Sequence, residues 1–325
     1  MVRNYYLNYF LSLLFAITFI YLIPWTEIYG AEFADIFNYV ARLKYLARGG
    51  YEGEVSGVKW LLSEPLWKII FTNIASVFSD YRSALYGLSF FSIFVYFSFL
   101  VKRVEFYIAI IFLFQPMVID LVLGQIRNAV AFAVVLLAYD FYENKKVNNN
   151  FAFLLFVIAI FIHVSIIVYY TIYFLLYKLN EKVEDKKYYL IAIFTALFIA
   201  FFMKYGSNIV LSLLGDRHAN YEGIIRASSL SYSLIWFLIA LTLATFGDFS
   251  ESKKRILVAY VITILCFFFF SSLLGMFAAR YVAVIMPLTI IAIGYLPKHI
   301  QQGTYLALFL YNIFAFKYWL KFTIL

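Results

Sequence analysis

The chain has 325 residues, 65% hydrophobic and 14% charged, with a formal net charge of +8 and a mean hydropathy of +0.88. No soluble globular domain has this balance, and apolar runs long enough to span a bilayer recur from end to end, so the class is a polytopic helical membrane protein. The basic residues sit in short loops between those runs, which is positive-inside bias and not a nucleic-acid footprint.

The first apolar run, YYLNYFLSLLFAITFIYLIP (5–24), has no small-residue cleavage site after it and reads as an uncleaved anchor. The largest polar insert follows at 25–65. Within it AEFADIFNYVARLKYLAR (31–48) predicts an amphipathic helix that carries Asp35 and Tyr39 on one face. At Glu64-Pro65 the proline suits a first helical position and the glutamate suits a cap beside the positive helix end. The segment PLWKIIFTNIASVF (65–78) is short. If the N-terminus is cytoplasmic, that segment is re-entrant or interfacial; if it crosses, loop 25–64 is cytoplasmic.

Crossings are expected at 83–101, 104–123 and 125–142, then at 188–204, 231–247, 256–274, 280–296 and 303–322. Residues 151–177 read as a hairpin of two short helices meeting at His163. Each would rise only about 20 Å against a core of about 30 Å, which brings polar atoms to some depth. The expected fold class is all-α, with about eleven or twelve transmembrane or re-entrant helices. No internal repeat is visible, so one membrane domain over 1–325 is expected, with a second extracytoplasmic loop at 205–230. A single cysteine, Cys266, leaves no intrachain disulfide.

The basic loops set a topology. Lys102, Arg103, Lys145, Lys146, the 178–187 stretch, Lys253 to Arg255 and Lys298 are expected on the cytoplasmic face. Arg127, His163, Arg217, His218, Arg226 and Arg280 then converge on the opposite face. Arg127 opens an otherwise apolar helix, where a guanidinium costs about 2.5–3.5 kcal/mol on insertion scales. Snorkelling to headgroups accounts for one such arginine. A set that breaks the positive-inside trend together points to an anion site. Guanidinium is planar, always charged and bidentate, so a lipid-linked phosphate or pyrophosphate is the natural ligand at a bilayer boundary.

Metal chemistry has little support: the three histidines are scattered, and the nearest acidic pair is Glu52 and Glu54 in a Gly-rich loop. There is no Walker loop, no G-x-S-x-G and no H-E-x-x-H. His163 lies in apolar sequence with Ser165 two residues on, open to a packing role or a catalytic one.

Four stretches in order carry a family likeness: DIFNY (35–39) ahead of SEPLWKII (63–70), QIRNAVAFAVVLLA (125–138) before a lysine-asparagine loop, and FIHVSII (161–167). Together they resemble the EpsG-like group of polysaccharide polymerases, related to the Wzy-type O-antigen and capsule polymerases, over roughly residues 30 to 180. Asn128 stands where that pattern usually has glutamine. The resemblance implies transfer of a growing glycan from undecaprenyl pyrophosphate to the non-reducing end of a lipid-linked repeat unit. It implies a metal-independent transferase in a GT-C-like arrangement of helices, with no cofactor, at the outer or periplasmic face of a bacterial cytoplasmic membrane. A flippase and a chain-length regulator are the implied protein partners.

In that setting Glu64, His163 and Asp35, in that order, are candidate bases for the acceptor hydroxyl. Arg127, Arg280, Arg217 and Arg226 are candidates to hold the pyrophosphate. Tyr39, Gln125, Asn128 and Ser165 are candidate sugar contacts. Two alternatives stay open. One is a transferase using a polyprenyl-phosphate sugar, with Glu52 and Glu54 on a metal. The other is a lipid-linked oligosaccharide transporter, a class that often shows repeats.

Overall fold

The computed structural model describes residues 5–50, 57, 60, 63–143, 149–180, 182, 183, 185–206, 229–247 and 251–321. Every regular element among them is helical. The chain is an all-α polytopic membrane protein. It clusters into two compact units, Met1–Ile167 with Leu310–Leu325, and Val168–Phe309.

The first unit begins with α1 (Tyr5–Ile17), which runs into a π-helical turn at Thr18–Leu22, and a short α2 (Trp25–Tyr29). The expected amphipathic helix is α3 (Ala34–Ala47), and α4 (Pro65–Val77) starts at its proline. Next comes α5 (Tyr81–Val101), whose N-cap Asp80 accepts from the amides of Arg82 at 3.0 Å and Ser83 at 3.3 Å.

The crossing expected over 104–123 is broken into α6 (Phe106–Leu113) and α7 (Pro116–Leu123), bent by 70°. Pro116 has no N–H to continue the ladder, and the side chain of Gln115 takes the Met117 amide at 2.7 Å instead. After α8 (Ile126–Glu143) comes α9 (Asn149–Ile162), and the expected break falls at 163–165, before α10 (Ile166–Asn180).

At the centre of this unit α5 lies against α1 and α8, and α9 packs on α8 and α4. Alanines at 129, 131, 133 and 138 are almost wholly buried in α8 and let neighbouring backbones approach. Ser89 donates to the Val122 carbonyl at 2.7 Å and Tyr96 to the Ala129 carbonyl at 3.3 Å, which fixes the register of α5 on α7 and α8. At the far ends of α5 and α8, Lys102 and Arg103 each pair with Asp140 at 2.7 Å. That cluster is about 20 Å from Arg127 along α8 at 1.5 Å per residue. The basic cluster and Arg127 therefore sit at opposite ends of one helix.

The second unit contains α11 (Asp185–Phe201), which ends in a π-helical turn at Phe202–Gly206, then α12 (Leu230–Phe246), α13 (Ser252–Leu273) and α14 (Ala279–Ile293). Its core helix is α13, which packs against α11, α12 and α14. The last helix, α15 (Lys298–Lys321), begins here and ends in the first unit.

Among the described residues three helices reach membrane-span criteria by length and composition, Tyr81–Val101, Lys187–Gly206 and Ser252–Leu273, and the bent α6–α7 pair adds a fourth. Shorter apolar helices, Tyr6–Leu22, Leu230–Phe246 and Ala279–Ile293, stand where three more crossings are expected, while the helices over the expected crossings 125–142 and 303–322 do not meet these criteria. On α11 the outward residues Leu190, Phe194 and Phe198 form an exposed apolar stripe at helical spacing. Water would not tolerate such a surface; lipid does.

Candidate active site

Glu64 is the hub of the site. It occupies the N-cap position of α4, but its side chain makes no cap hydrogen bond, so the expected capping role is not what the structure shows. Its backbone lies in the left-handed region, φ 55° and ψ 63°. It is the one non-glycine residue with positive φ among the described residues. Such a conformation costs on the order of 1–3 kcal/mol and persists where surrounding contacts over-determine it.

Those contacts are visible. Arg127 donates through Nη1 to Glu64 Oε2. His163 Nδ1 and the Val164 amide, the latter at 3.3 Å, bond Oε1. Thus α4, α8 and the α9–α10 break meet at one carboxylate. The side chains are 9%, 30% and 18% exposed for Glu64, Arg127 and His163, so solvent screens these charges only weakly. Burial acts to raise the Glu64 pKa. The His163 hydrogen bond, the charges of His163 and Arg127 and the Val164 amide outweigh it and hold the carboxyl below its ordinary value.

The break also has a physical basis. The Ile166 amide bonds the His163 carbonyl at 3.1 Å, a tight turn that restarts the helix and leaves the Val164 N–H for Glu64. On the other side, the Gln125 carbonyl accepts from Asn128 and Ala129 at 3.0 and 3.1 Å and so starts α8, which carries Arg127.

The face of α3 closes one wall. Tyr39 is half-buried, with its hydroxyl at the Arg127 backbone amide. Its ring packs on Trp67 at 6.0 Å and Phe71 at 5.4 Å. Burial raises the phenol above its usual range, against the opposing pull of Arg127. The charges of Asp35, one turn away on α3, and of Glu64 also act to raise this phenol; no contact joins Asp35 to Glu64, Arg127 or His163 among the described residues.

The sugar-contact candidates border this centre in sequence and carry unmet hydrogen-bonding capacity. Among the described residues, buried atoms without a partner include Gln125 Oε1, Asn128 Oδ1 and Ser165 Oγ. Sequence reasoning missed Trp67, whose side chain is 1% exposed and whose indole N–H is also unpartnered. Its signal was its place three residues after Glu64, one helical turn on.

Arg280 lies in the first turn of the second unit's α14, exposed, with its guanidinium 5.6 Å from the Phe277 ring centre. Arg217, His218, Arg226, Glu52 and Glu54 lie outside the described residues. Among the described residues no three His, Cys, Asp or Glu side chains gather as a metal site would require.

The EpsG family model matches residues 8–324, nearly the whole chain. The chain belongs to the EpsG family. The match extends beyond the 30–180 region that carries the sequence likeness. No curated protein and no solved structure matches it. Membership makes this a membrane-embedded, glycosyltransferase-like protein of the polysaccharide polymerase type, with lipid-linked saccharides as its substrate class. The four EpsG-like stretches supply Tyr39, Glu64, Arg127 and His163, which the fold gathers at one place.

Proposed function

We propose that this protein elongates a bacterial polysaccharide by moving the growing glycan from undecaprenyl pyrophosphate to the non-reducing end of a lipid-linked repeat unit. The acceptor hydroxyl oxygen attacks the anomeric carbon of the donor sugar. The bond from that carbon to the pyrophosphate oxygen breaks, and its electron pair leaves with the pyrophosphate. The hydroxyl proton passes to a base on the protein.

The observation that carries this reading is the double engagement of Glu64 by Arg127 and His163. With Glu64 ionised, His163 must carry its proton on Nδ1 to make that bond. In the neutral imidazole, the form that acts as base, the Nε2 lone pair is then available to take the acceptor proton, by the logic of a carboxylate-oriented imidazole. Glu64 has its oxygens occupied by Arg127, His163 and the Val164 amide, so it acts as a positioning residue. His163 thereby moves ahead of Glu64 and Asp35 as the base.

Arg127 spends one nitrogen on Glu64 and keeps further N–H donors for the leaving pyrophosphate, whose developing charge needs a fixed cation. From the sequence alone, Arg280, Arg217 and Arg226 are proposed as further cations for the pyrophosphate. Gln125, Asn128 and Ser165 offer unmet acceptors to sugar hydroxyls. The positive-inside bias puts the reaction at the outer face of the cytoplasmic membrane, where a flippase delivers substrate and a chain-length regulator acts on the product.

The test is chain length. In cells that depend on this protein for polymer, Arg127→Ala and His163→Ala should leave inserted protein and single repeat units but no ladder on a glycan gel. Full ladders from both variants would rule out this site.

A further inference from the structure

Asp120 is an acid in the last turn of α7, in the apolar sequence PMVIDLVL, and it is half-buried. Among the described residues no lysine, arginine or histidine lies within ion-pair distance of it. Ionisable groups in such surroundings are costly to keep and mark functional positions. Its polar side-chain partner is the indole Nε1 of Trp319, 3.2 Å from Oδ1 and 3.3 Å from Oδ2. One N–H shared by two oxygens leaves most of the roughly four acceptor positions of a carboxylate unfilled.

The surroundings of this carboxylate are aromatic. Tyr29 packs on Trp319 at 4.7 Å, and Phe33 stacks on Tyr29 at 4.8 Å. The Asp120 carbonyl accepts from the amides of Gly124 and Gln125 at 2.9 and 3.0 Å, so the acid sits on the turn leading to Arg127. Gln125 contributes a second acceptor, its Oε1, buried and without a partner. The unmet acceptors of Asp120, beside aromatic rings, and of Gln125, on the turn that follows, call for a ligand rich in hydroxyl donors with apolar C–H faces.

We propose that Asp120 and Gln125 form a saccharide subsite next to the Glu64–Arg127–His163 centre, binding outer sugars of the lipid-linked repeat unit that is to be extended. This inference rests on the polymerase reading above. Trp319 is its positioning residue: the single N–H aims the carboxylate, and it reaches the site from the last helix of the chain, 199 positions away.

The test is direct binding. Detergent-purified protein is titrated with two probes in a calorimeter. One is the intact lipid-linked repeat unit extracted from polymerase-deficient cells. The other is the same lipid trimmed enzymatically to its first sugar. The wild type should bind the intact probe about tenfold more tightly, the worth of one charged hydrogen bond. Asp120→Asn keeps the shape and an acceptor for Trp319, and it should bind the two probes alike. Trp319→Phe should narrow the gap by a smaller factor.

A gap unchanged in Asp120→Asn would overturn the subsite and leave Asp120 as a mere anchor for Trp319. Equal binding of both probes by the wild type would also overturn it, while leaving the polymerase reading intact. If the wild type bound neither probe, both readings would fall.

Discussion

His163 and Glu64 stand 99 positions apart in the chain, yet the imidazole Nδ1 bonds the carboxylate Oε1 at the break between α9 and α10. The bond ties a helix break to a left-handed residue at a helix start, two irregular pieces of backbone that neither helix needs for its own stability. Irregular backbone at membrane depth is tolerated where it is buried in protein or lines a cavity. The bond also divides the labour between the two side chains, one orienting and one free at Nε2.

His163→Ala should lower turnover by about 10² to 10⁴, the range for a positioned general base, with much less change in KM. Added imidazole should restore part of that loss by diffusing into the vacated space. Steady-state kinetics on lipid-linked substrate checks both. Turnover within threefold of wild type would remove His163 from the chemistry.

Glu64→Gln keeps the volume and deletes the charge that Arg127 and His163 face. The folded pKa of Glu64 is depressed below the ordinary value of 4.5. The carboxylate therefore contributes stability that is fully present above about pH 4.5 and is lost as the pH falls through the lower folded value. The thermal midpoint of the wild type in detergent should exceed that of Glu64→Gln at pH 6 to 7. The difference should shrink towards acid. A gap that widened as the pH fell would contradict the ion-pair account.

The extent to which this was legible in sequence differs from element to element. The α4 start was written in Glu64-Pro65, and the α9–α10 break in the length of 151–177 around a histidine. Pro116 signalled the α6–α7 bend, but hydropathy over 104–123 is continuous and masked it. Local spacing made Glu64 look like a cap because capping is a contact within one turn. Its actual partners are 63 and 99 positions away, and no periodicity records them. Asp120 was passed over for the same reason, since only the distant Trp319 shows where it lies.

Arg127→Lys keeps the charge but loses the planar fork, which at Arg127 must serve Glu64 and an anion together. It should recover little of what Arg127→Ala loses. Each should cut kcat/KM by at least about 10², as removal of one transition-state donor does. Combined with Glu64→Gln, the losses should be strongly non-additive because the two side chains share a bond. Additive losses in that double-mutant cycle would show that the pair does not act as a unit.

Asp140 tests the opposite end of α8. It pairs with both Lys102 and Arg103, so Asp140→Asn takes an anion from each, leaving Arg103 with Glu143 and Lys102 with the Tyr9 hydroxyl. The expected outcome is a lower thermal midpoint, from a loss of about 1–3 kcal/mol, with kcat/KM of the surviving folded enzyme within about twofold. A selective fall in kcat at unchanged midpoint would place this cluster in the function and not only in the fold.

Two glycines give a matched pair. A Cβ on Gly124 would come 2.7 Å from the Asp120 carbonyl oxygen, which already accepts the amides of Gly124 and Gln125. That oxygen belongs to backbone, so Gly124→Ala must move the turn that sets the position of Arg127. Turnover should fall about tenfold or more, since small misplacements of a positioning group cost that much. A Cβ on Gly87, inside α5, meets nothing within 4 Å. Gly87→Ala should keep full turnover and raise stability by up to about 1 kcal/mol, because alanine loses less backbone entropy in a helix. Turnover assays with thermal melts of both variants check the contrast. Equal activity in the two would mean that the 120–125 turn does not hold Arg127 in register.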